Sequence, residues 1–243
     1  MKLLIIRHGE PDYSIDSLTP KGWREAELLA DRLCREPIDA FYVSPLGRAR
    51  DTAKPTLERL GRQAEVLPWL HEFQGTVIDP SDGRRRIPWN LSPQYWTLQP
   101  ELYDRERWVE NGLYRTGDIE EVYASSIRGL DALLERHGYV RDGALYRCAQ
   151  NGRGTIALFC HFGLGMVLLS HLLGVSPAVM WHGFFMPASS VTTLITEERV
   201  KGQVFFKCMQ VGDTSHLYAG GEPVSRAGLF EECFGDADVK EAR

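Results

Sequence analysis

Over the first ten residues the chain switches polarity once, abruptly. Lys2 is followed by Leu3-Leu4-Ile5-Ile6, an apolar run without polar alternation, and then by Arg7-His8-Gly9-Glu10. Such a run is the pattern of a strand buried on both faces of a parallel sheet. A polar loop over 11–17 leads to Leu18-Thr19-Pro20, where Thr19 as N-cap and Pro20 at the first helical position announce a helix. Ala26, Leu29, Ala30 and Leu33 recur at helical spacing until Pro37 ends the pattern. Ala40-Phe41-Tyr42-Val43 predicts a second strand stopped by Ser44-Pro45. A helix follows from Gly47 to Leu60, which Pro55 would kink or restart. Residues 65–67 predict a short strand leading into Leu70-His71-Glu72.

Residues 74–118 show no clean period. They carry Asp82-Gly83, Arg84-Arg85-Arg86, Trp89, Tyr95, Trp96 and Trp108, too aromatic a set for a disordered linker. The expectation is an irregular insertion with one or two short helices, a candidate lid over a substrate. From Ile119 to His137, Val122, Ile127, Leu130, Leu133 and Leu134 mark an amphipathic helix. Thr155-Ile156-Ala157-Leu158-Phe159-Cys160 is the strongest strand pattern and runs into His161-Phe162-Gly163. Leu164 to Leu173 predicts a very apolar helix closed by Gly174. Residues 190–196 and 203–211 alternate as an antiparallel hairpin around Lys201-Gly202, and from Gly235 the tail is charged and expected to fray. Neither an internal repeat nor a linker interrupts the pattern, so 1–243 reads as one domain with an insertion.

Composition narrows the possibilities. The 243 residues suffice for one large α/β domain or two small ones, and 43% hydrophobic with 25% charged residues is ordinary for a soluble chain with a substantial core. A net charge of −5 gives no footprint for nucleic acid or an acidic membrane surface. The N-terminal run is too short and too charged for a signal peptide, and no apolar stretch approaches bilayer length. Cys34, Cys148, Cys160, Cys208 and Cys233 are odd in number, scattered and without CxxC spacing. That argues against a disulfide framework and a structural zinc site, and for a reducing cytoplasm.

The chemistry concentrates at two strand ends that look alike, Ile6-Arg7-His8-Gly9 and Cys160-His161-Phe162-Gly163. In a parallel sheet both would lie on one edge, beyond the carboxyl ends of the strands where α/β proteins bind ligands. Arg48 stands in the first turn of a helix after another strand, where free N–H groups and the positive dipole end suit an anion. Two histidines and two arginines on one edge describe a phosphate pocket. Each has a plainer reading: His8 a solvated turn residue, His161 a packed histidine at a strand end, Glu72 an exposed loop carboxylate. His71 reads as a loop residue, His182 and His216 as structural, and Cys160, inside an apolar run, as buried and inert.

Taken in order, Arg7-His8-Gly9, Leu18-Thr19-x-x-Gly22, Ser44-Pro45-Leu46-x-Arg48-Ala49-x-x-Thr52-Ala53, Leu70-x-Glu72, the His161 strand end and Gly212-Asp213-Thr214-Ser215-His216-Leu217 resemble the histidine phosphatase superfamily, in its phosphoglycerate mutase-like branch. The resemblance covers roughly residues 2–75 and 119–217. It implies an α/β three-layer sandwich, a mainly parallel central sheet flanked by helices, with a phosphohistidine intermediate and neither metal nor cofactor. His8 would be the nucleophile, Arg7 and Arg48 would hold the phosphoryl oxygens, His161 would donate to the same oxygens, and Glu72 would be the general acid and base. Crowding by Arg7, Arg48 and a protonated His161 would favour the neutral form of His8.

Two departures stand out. Where many members carry Thr or Ser and then Asn, three and six residues after the motif histidine, this chain has Pro11 and Ser14. Ser14 remains a candidate phosphate donor; Pro11 has neither hydroxyl nor N–H. Arg84-Arg85-Arg86 only superficially matches the element with which phosphoglycerate mutases grip a carboxylate. Arg85 is therefore a candidate substrate contact and equally a member of a solvated turn, while Trp89, Tyr95 and Trp96 could wall the leaving group. The preferred function is a phosphomonoesterase acting on a small phosphorylated metabolite. A mutase-type isomerase and a non-catalytic phospholigand-binding protein are the alternatives, with a metal hydrolase a distant fourth. The substrate and the oligomeric state are not legible.

Overall fold

The computed structural model describes residues 1–148, 152 and 154–230. The tail expected to fray from Gly235, and Cys233, lie outside the described residues. In chain order β1 (Lys2–Arg7) is followed by a two-strand hairpin, β2 (Pro11–Asp12) and β3 (Ser17–Leu18). Then come α1 (Pro20–Leu33), β4 (Ala40–Val43), α2 (Gly47–Leu60) and β5 (Glu65–Val66). The insertion contributes a second hairpin, β6 (Val77–Ile78) and β7 (Arg85–Arg86), one short helix, α3 (Pro93–Trp96), and single 3-10 turns. The chain continues through α4 (Ile119–Arg136), β8 (Tyr139–Asp142), β9 (Leu145–Cys148), β10 (Thr155–Cys160) and α5 (Phe162–Leu173). It closes with α6 (Pro177–Gly183), β11 (Val191–Val200), β12 (Gln203–Asp213) and α7 (Ser215–Ala219).

Among the described residues, eight strands form one sheet in the order β5-β4-β10-β1-β11-β12-β9-β8. β5, β4, β10 and β1 run parallel, and from β11 outward each strand pairs antiparallel with its neighbour. β1 lies where the two halves meet, hydrogen-bonded on both sides, and its four aliphatic side chains are fully buried. They alternate: Leu3 and Ile5 enter a core shared with α4, α5 and α6, while Leu4 and Ile6 enter a second core shared with Leu29 and Leu33 of α1 and Ala49 and Ala53 of α2. Helices thus cover both faces, the three-layer arrangement expected. Each such aliphatic burial is worth about 2 kcal/mol, so the strand that ends in Arg7 is held by roughly 8 kcal/mol of side-chain burial.

Local expectations hold where the pattern was strong. The Thr19 hydroxyl accepts the Gly22 N–H and Pro20 opens α1. α2 runs unbroken through Pro55, so the proline restarts nothing; its ring is accommodated in the helix. α5 starts at Phe162, earlier than its apolar period suggested, with His161 as N-cap. The β8–β9 hairpin and helices α6 and α7 add elements where no periodicity announced them, because runs of four to seven residues are too short to show one.

Candidate active site

The parallel register decides which residues meet. Arg7 lies opposite Cys160 and Val43 opposite Phe159. The His8 N–H donates to the Cys160 carbonyl at 3.0 Å, and the Ser44 N–H donates to the Phe159 carbonyl at 2.9 Å. His8, His161 and Ser44 therefore follow three adjacent strand ends on the carboxyl edge of the sheet, and the two imidazole centroids are 5.2 Å apart.

His8 is buried, and its Nδ1 lies 2.7 Å from the Gly9 carbonyl. Only a protonated Nδ1 can make that bond, so Nε2 is the basic nitrogen, and it has no hydrogen-bond partner among the described residues. Burial, then the Arg7 charge, lower the His8 pKa to about 3, so the ring is neutral at ordinary pH. The turn carrying it is pinned on every side. The Gly9 N–H donates to the Thr52 hydroxyl at 2.8 Å, the Glu10 N–H to the Glu25 carboxylate at 2.8 Å, and the Ser189 N–H to the His8 carbonyl at 3.0 Å. α1 can approach this turn only because position 22 lacks a side chain: a Cβ on Gly22 would fall 2.2 Å from the Glu10 carbonyl oxygen.

Around His8 three buried polar nitrogens, Arg7 Nε, Arg48 Nε and His161 Nδ1, have no hydrogen-bond partner among the described residues. Buried donors are rarely left unpaired, and three at one place mark a seat for an anion. The Arg7 guanidinium is fixed by donating from Nη1 to the Met186 carbonyl at 2.6 Å and from Nη2 to the Ala227 carbonyl at 3.3 Å. Ser44 Oγ accepts the Leu46 N–H at 3.2 Å and lies 2.7 Å from His161 Nε2. When that hydroxyl donates to Nε2, the ring proton stands on Nδ1, the buried nitrogen without a partner among the described residues. Burial, then the neighbouring His8, hold His161 well below the usual histidine range, making it a neutral donor here, not an imidazolium. The start of α2 is not free, as the sequence had suggested. The two oxygens of Asp16 take the Gly47 N–H at 2.7 Å and Arg48 Nη1 at 2.6 Å.

Glu72 reaches the same edge from the other side. Its Oε1 accepts the Phe73 N–H at 2.7 Å and the Leu164 N–H at 3.0 Å, in the first turn of α5. These bonds and the Arg7 charge favour the carboxylate, but desolvation outweighs them and the pKa is raised. A carboxyl that keeps a proton into a higher pH range beside a bare imidazole and an anion seat is equipped for proton transfer.

Arg7, His8, Arg48, Glu72 and His161 are thus brought together. Trp89 joins them through the insertion: its ring meets Phe162 edge-on at 5.8 Å, and a Cβ on Gly163 would fall 2.2 Å from it. Ser14 and Arg85 are not brought into the group. Ser14 is exposed and turns its hydroxyl to Asp12, because Asp12 closes an Asx turn there. Arg85 is exposed on β7 and donates to the Thr76 hydroxyl at 2.8 Å, while Arg86 pairs with Asp79 and Asp82. Asp16, Glu25, Ser44 and Thr52 were missed as site residues. Ser44 and Thr52 stood inside a recognised motif without a role, whereas Asp16 and Glu25 gave no signal. Cys160 is buried and its thiol is pushed up by desolvation, the inert state expected. Among the described residues no three His, Cys, Asp or Glu side chains cluster to hold a metal ion, and no helix is long and apolar enough to cross a membrane.

Comparison with known proteins follows the same lines. The chain is 24% identical over 191 residues to the adenosylcobalamin/alpha-ribazole phosphatase of Salmonella typhi, covering 75% of this chain and 84% of that one. It is 26% identical over 208 residues to phosphoserine phosphatase 1 of Hydrogenobacter thermophilus, covering 82% and 88%. In fold it is similar to the phosphoserine phosphatase of Entamoeba histolytica in complex with phosphoserine (TM-score 0.58, 21% identity, 89% of this chain and 98% of that one). It is likewise similar to a mycobacterial glucosyl-3-phosphoglycerate phosphatase (TM-score 0.59, 21% identity, 87% and 98%). The family model for the histidine phosphatase superfamily (branch 1) matches residues 3–206, a span running from β1 into β12 and including both histidine-bearing strand ends. By that match, the chain belongs to the histidine phosphatase superfamily, branch 1.

Proposed function

We propose that this chain hydrolyses the phosphate ester of a small metabolite through a phosphohistidine on His8. The observation that carries the reading is the bare Nε2 of a neutral His8 set among three unpartnered buried nitrogens on Arg7, Arg48 and His161. Nε2 attacks phosphorus as the ester P–O bond breaks, and protonated Glu72 gives its proton to the departing alkoxide. Glu72, now a carboxylate, takes a proton from water as that water attacks phosphorus. The P–N bond breaks, and phosphate leaves with His8 neutral again. Arg7, Arg48 and the His161 Nδ1–H hold the equatorial oxygens through both steps, where charge is spread in the transition state. The curated relatives named above are phosphatases, which agrees with this direction of transfer.

The mutase alternative needs a cation to grip a substrate carboxylate, and Arg85 and Arg86 are engaged within the insertion's own hairpin. Residues 1–243 act as one unit in this reading, in the cytoplasm, with no metal. The scattered cysteines support the location. The test is phosphate release from a panel of phosphomonoesters in chelator, comparing wild type with His8→Ala. Loss of the nucleophile lowers turnover by roughly 10³-fold or more. Equal activity of the two proteins overturns the mechanism, and activity restored only by added metal overturns its metal independence.

A further inference from the structure

The anion seat shares a wall with a second cavity, of about 640 Å³. Phe162 and Phe185 line that cavity, and the same two rings flank the Arg7 guanidinium, at 5.8 Å and 5.4 Å from ring centroid to Cζ. Further rings line it, beside Leu91, Pro93, Leu229 and the neutral polar side chains of Asn90 and Ser92. Trp89 and Trp181 lie 6.2 Å apart, and Trp96 of α3 stacks on His182 at 4.6 Å with the planes 9° from parallel. No Lys, Arg, Asp or Glu is among the described residues that line it. His182 adds no charge, because burial lowers its pKa to about 4.

We propose that this cavity seats the leaving group of the substrate, and that this group is an uncharged flat ring, aromatic or heteroaromatic. The inference rests on the phosphomonoesterase reading and names its substrate class. An ester whose phosphate sits between Arg7 and His8 must project its alcohol somewhere, and the wall shared through Phe162 and Phe185 makes this cavity its continuation. Flat rings bury roughly 150–250 Å² each and gain further from offset or edge contacts with other rings, the kind of surface Trp89, Trp96 and Trp181 offer. A carboxylate or ammonium placed there would lose its water and meet no opposite charge. Compounds such as phosphoserine therefore gain nothing from the cavity beyond their phosphate.

The test compares esters of equal leaving-group basicity, so that the chemistry of departure does not masquerade as recognition. Naphthylethyl phosphate and propyl phosphate both release a primary alkoxide, and phosphoserine supplies the charged comparison. The expected result is a kcat/KM for naphthylethyl phosphate about 100-fold above that for propyl phosphate, in keeping with burial of one bicyclic ring. Phosphoserine should be no better than propyl phosphate. Trp96→Ala should cut the naphthylethyl-to-propyl ratio about tenfold. Trp96 is only partly buried in a short helix of the insertion, and Phe184→Ala, at the exposed rim of the cavity, gives an independent second variant. Phosphoserine exceeding naphthylethyl phosphate, or a ratio near one in the wild type, overturns the ring-binding assignment while the phosphatase reading stands. Hydrolysis of none of the three overturns both.

Discussion

Asp16 Oδ1 lies 2.6 Å from Arg48 Nη1, and its other carboxylate oxygen holds the Gly47 N–H at the start of α2. The protein's own carboxylate thus takes the two donors, a guanidinium and a helix N-terminus, that a phosphate would seek. Asp16 adopts a positive φ of 47° to do so. A carboxylate so placed competes with phosphate for Arg48. Asp16→Ala should lower the inhibition constant of inorganic phosphate about fivefold, while costing about 1 kcal/mol of stability through the lost helix cap. Inhibition assays and thermal melts read the two effects separately. Weaker phosphate inhibition in the variant would mean that Asp16 positions Arg48 for the substrate, not against it.

Glu72 should set the alkaline limit of turnover. Its pKa is raised, chiefly by desolvation, and the first step needs its proton, so kcat/KM for alkyl phosphates falls as pH rises through that elevated value. His8, neutral down to about pH 3, does not impose the acid limit. Glu72→Gln should lower kcat for alkyl esters by about 10²–10⁴-fold. With nitrophenyl phosphate, whose leaving group needs no acid, the variant should show a burst of one nitrophenol per enzyme and then slow turnover, because water still lacks its base. A variant with neither burst nor altered pH profile would remove Glu72 from both roles.

Ser44 Oγ meets His161 Nε2 and also accepts the Leu46 N–H just before α2. Removing its hydroxyl leaves His161 Nε2 without its partner and frees the ring to place its proton on either nitrogen. Ser44→Ala should lower kcat about tenfold, whereas Ser44→Thr, which keeps the hydroxyl, should restore most of it. The informative measurement is the histidine nitrogen chemical shift, which reports the tautomer. An unchanged tautomer with reduced activity would assign Ser44 to packing alone.

Glu25 links stability to pH. It is fully buried beneath the His8 turn, and burial raises its pKa to about 7 from the ordinary 4.5. Between those two pH values the unfolded chain has released a proton that the folded protein keeps. The contribution is therefore full below about pH 4.5 and is lost as pH rises through 7, a change of about 3 kcal/mol. Glu25→Gln should melt like the wild type at pH 5 and at a higher temperature at pH 8. Identical melting curves at both pH values would show that Glu25 ionises without cost.

Legibility followed the length of each signal. β1, α1, α2, α4 and β10 carry long apolar runs or full helical periods, and their bounds agree with the pattern to within a residue or two. The antiparallel half of the sheet was only half legible: the β11–β12 hairpin alternates, while β8 and β9 are four residues each and rich in charge. Arg7, His8, Arg48 and His161 each sit at a strand end or helix start, and with the short Leu70-x-Glu72 motif their order was enough to name the candidate group. Ser14 and Arg85 were placed by analogy of position, and local hydrogen bonds turn both elsewhere.

By itself the chain's order of residues determined that two histidines end buried strands and that arginines stand near them, since burial and turn propensity act within a few residues. Only the tertiary structure decided how they face one another. The parallel register of β1 against β10 and β4 puts His8, His161 and Ser44 side by side. The first turn of α5 takes the Glu72 carboxylate, although Glu72 and Leu164 lie 92 positions apart in the chain. Whether a nitrogen is bare, or a carboxyl keeps its proton, depends on which distant groups remove water from it and which donors remain, and that is settled by packing across the whole sheet.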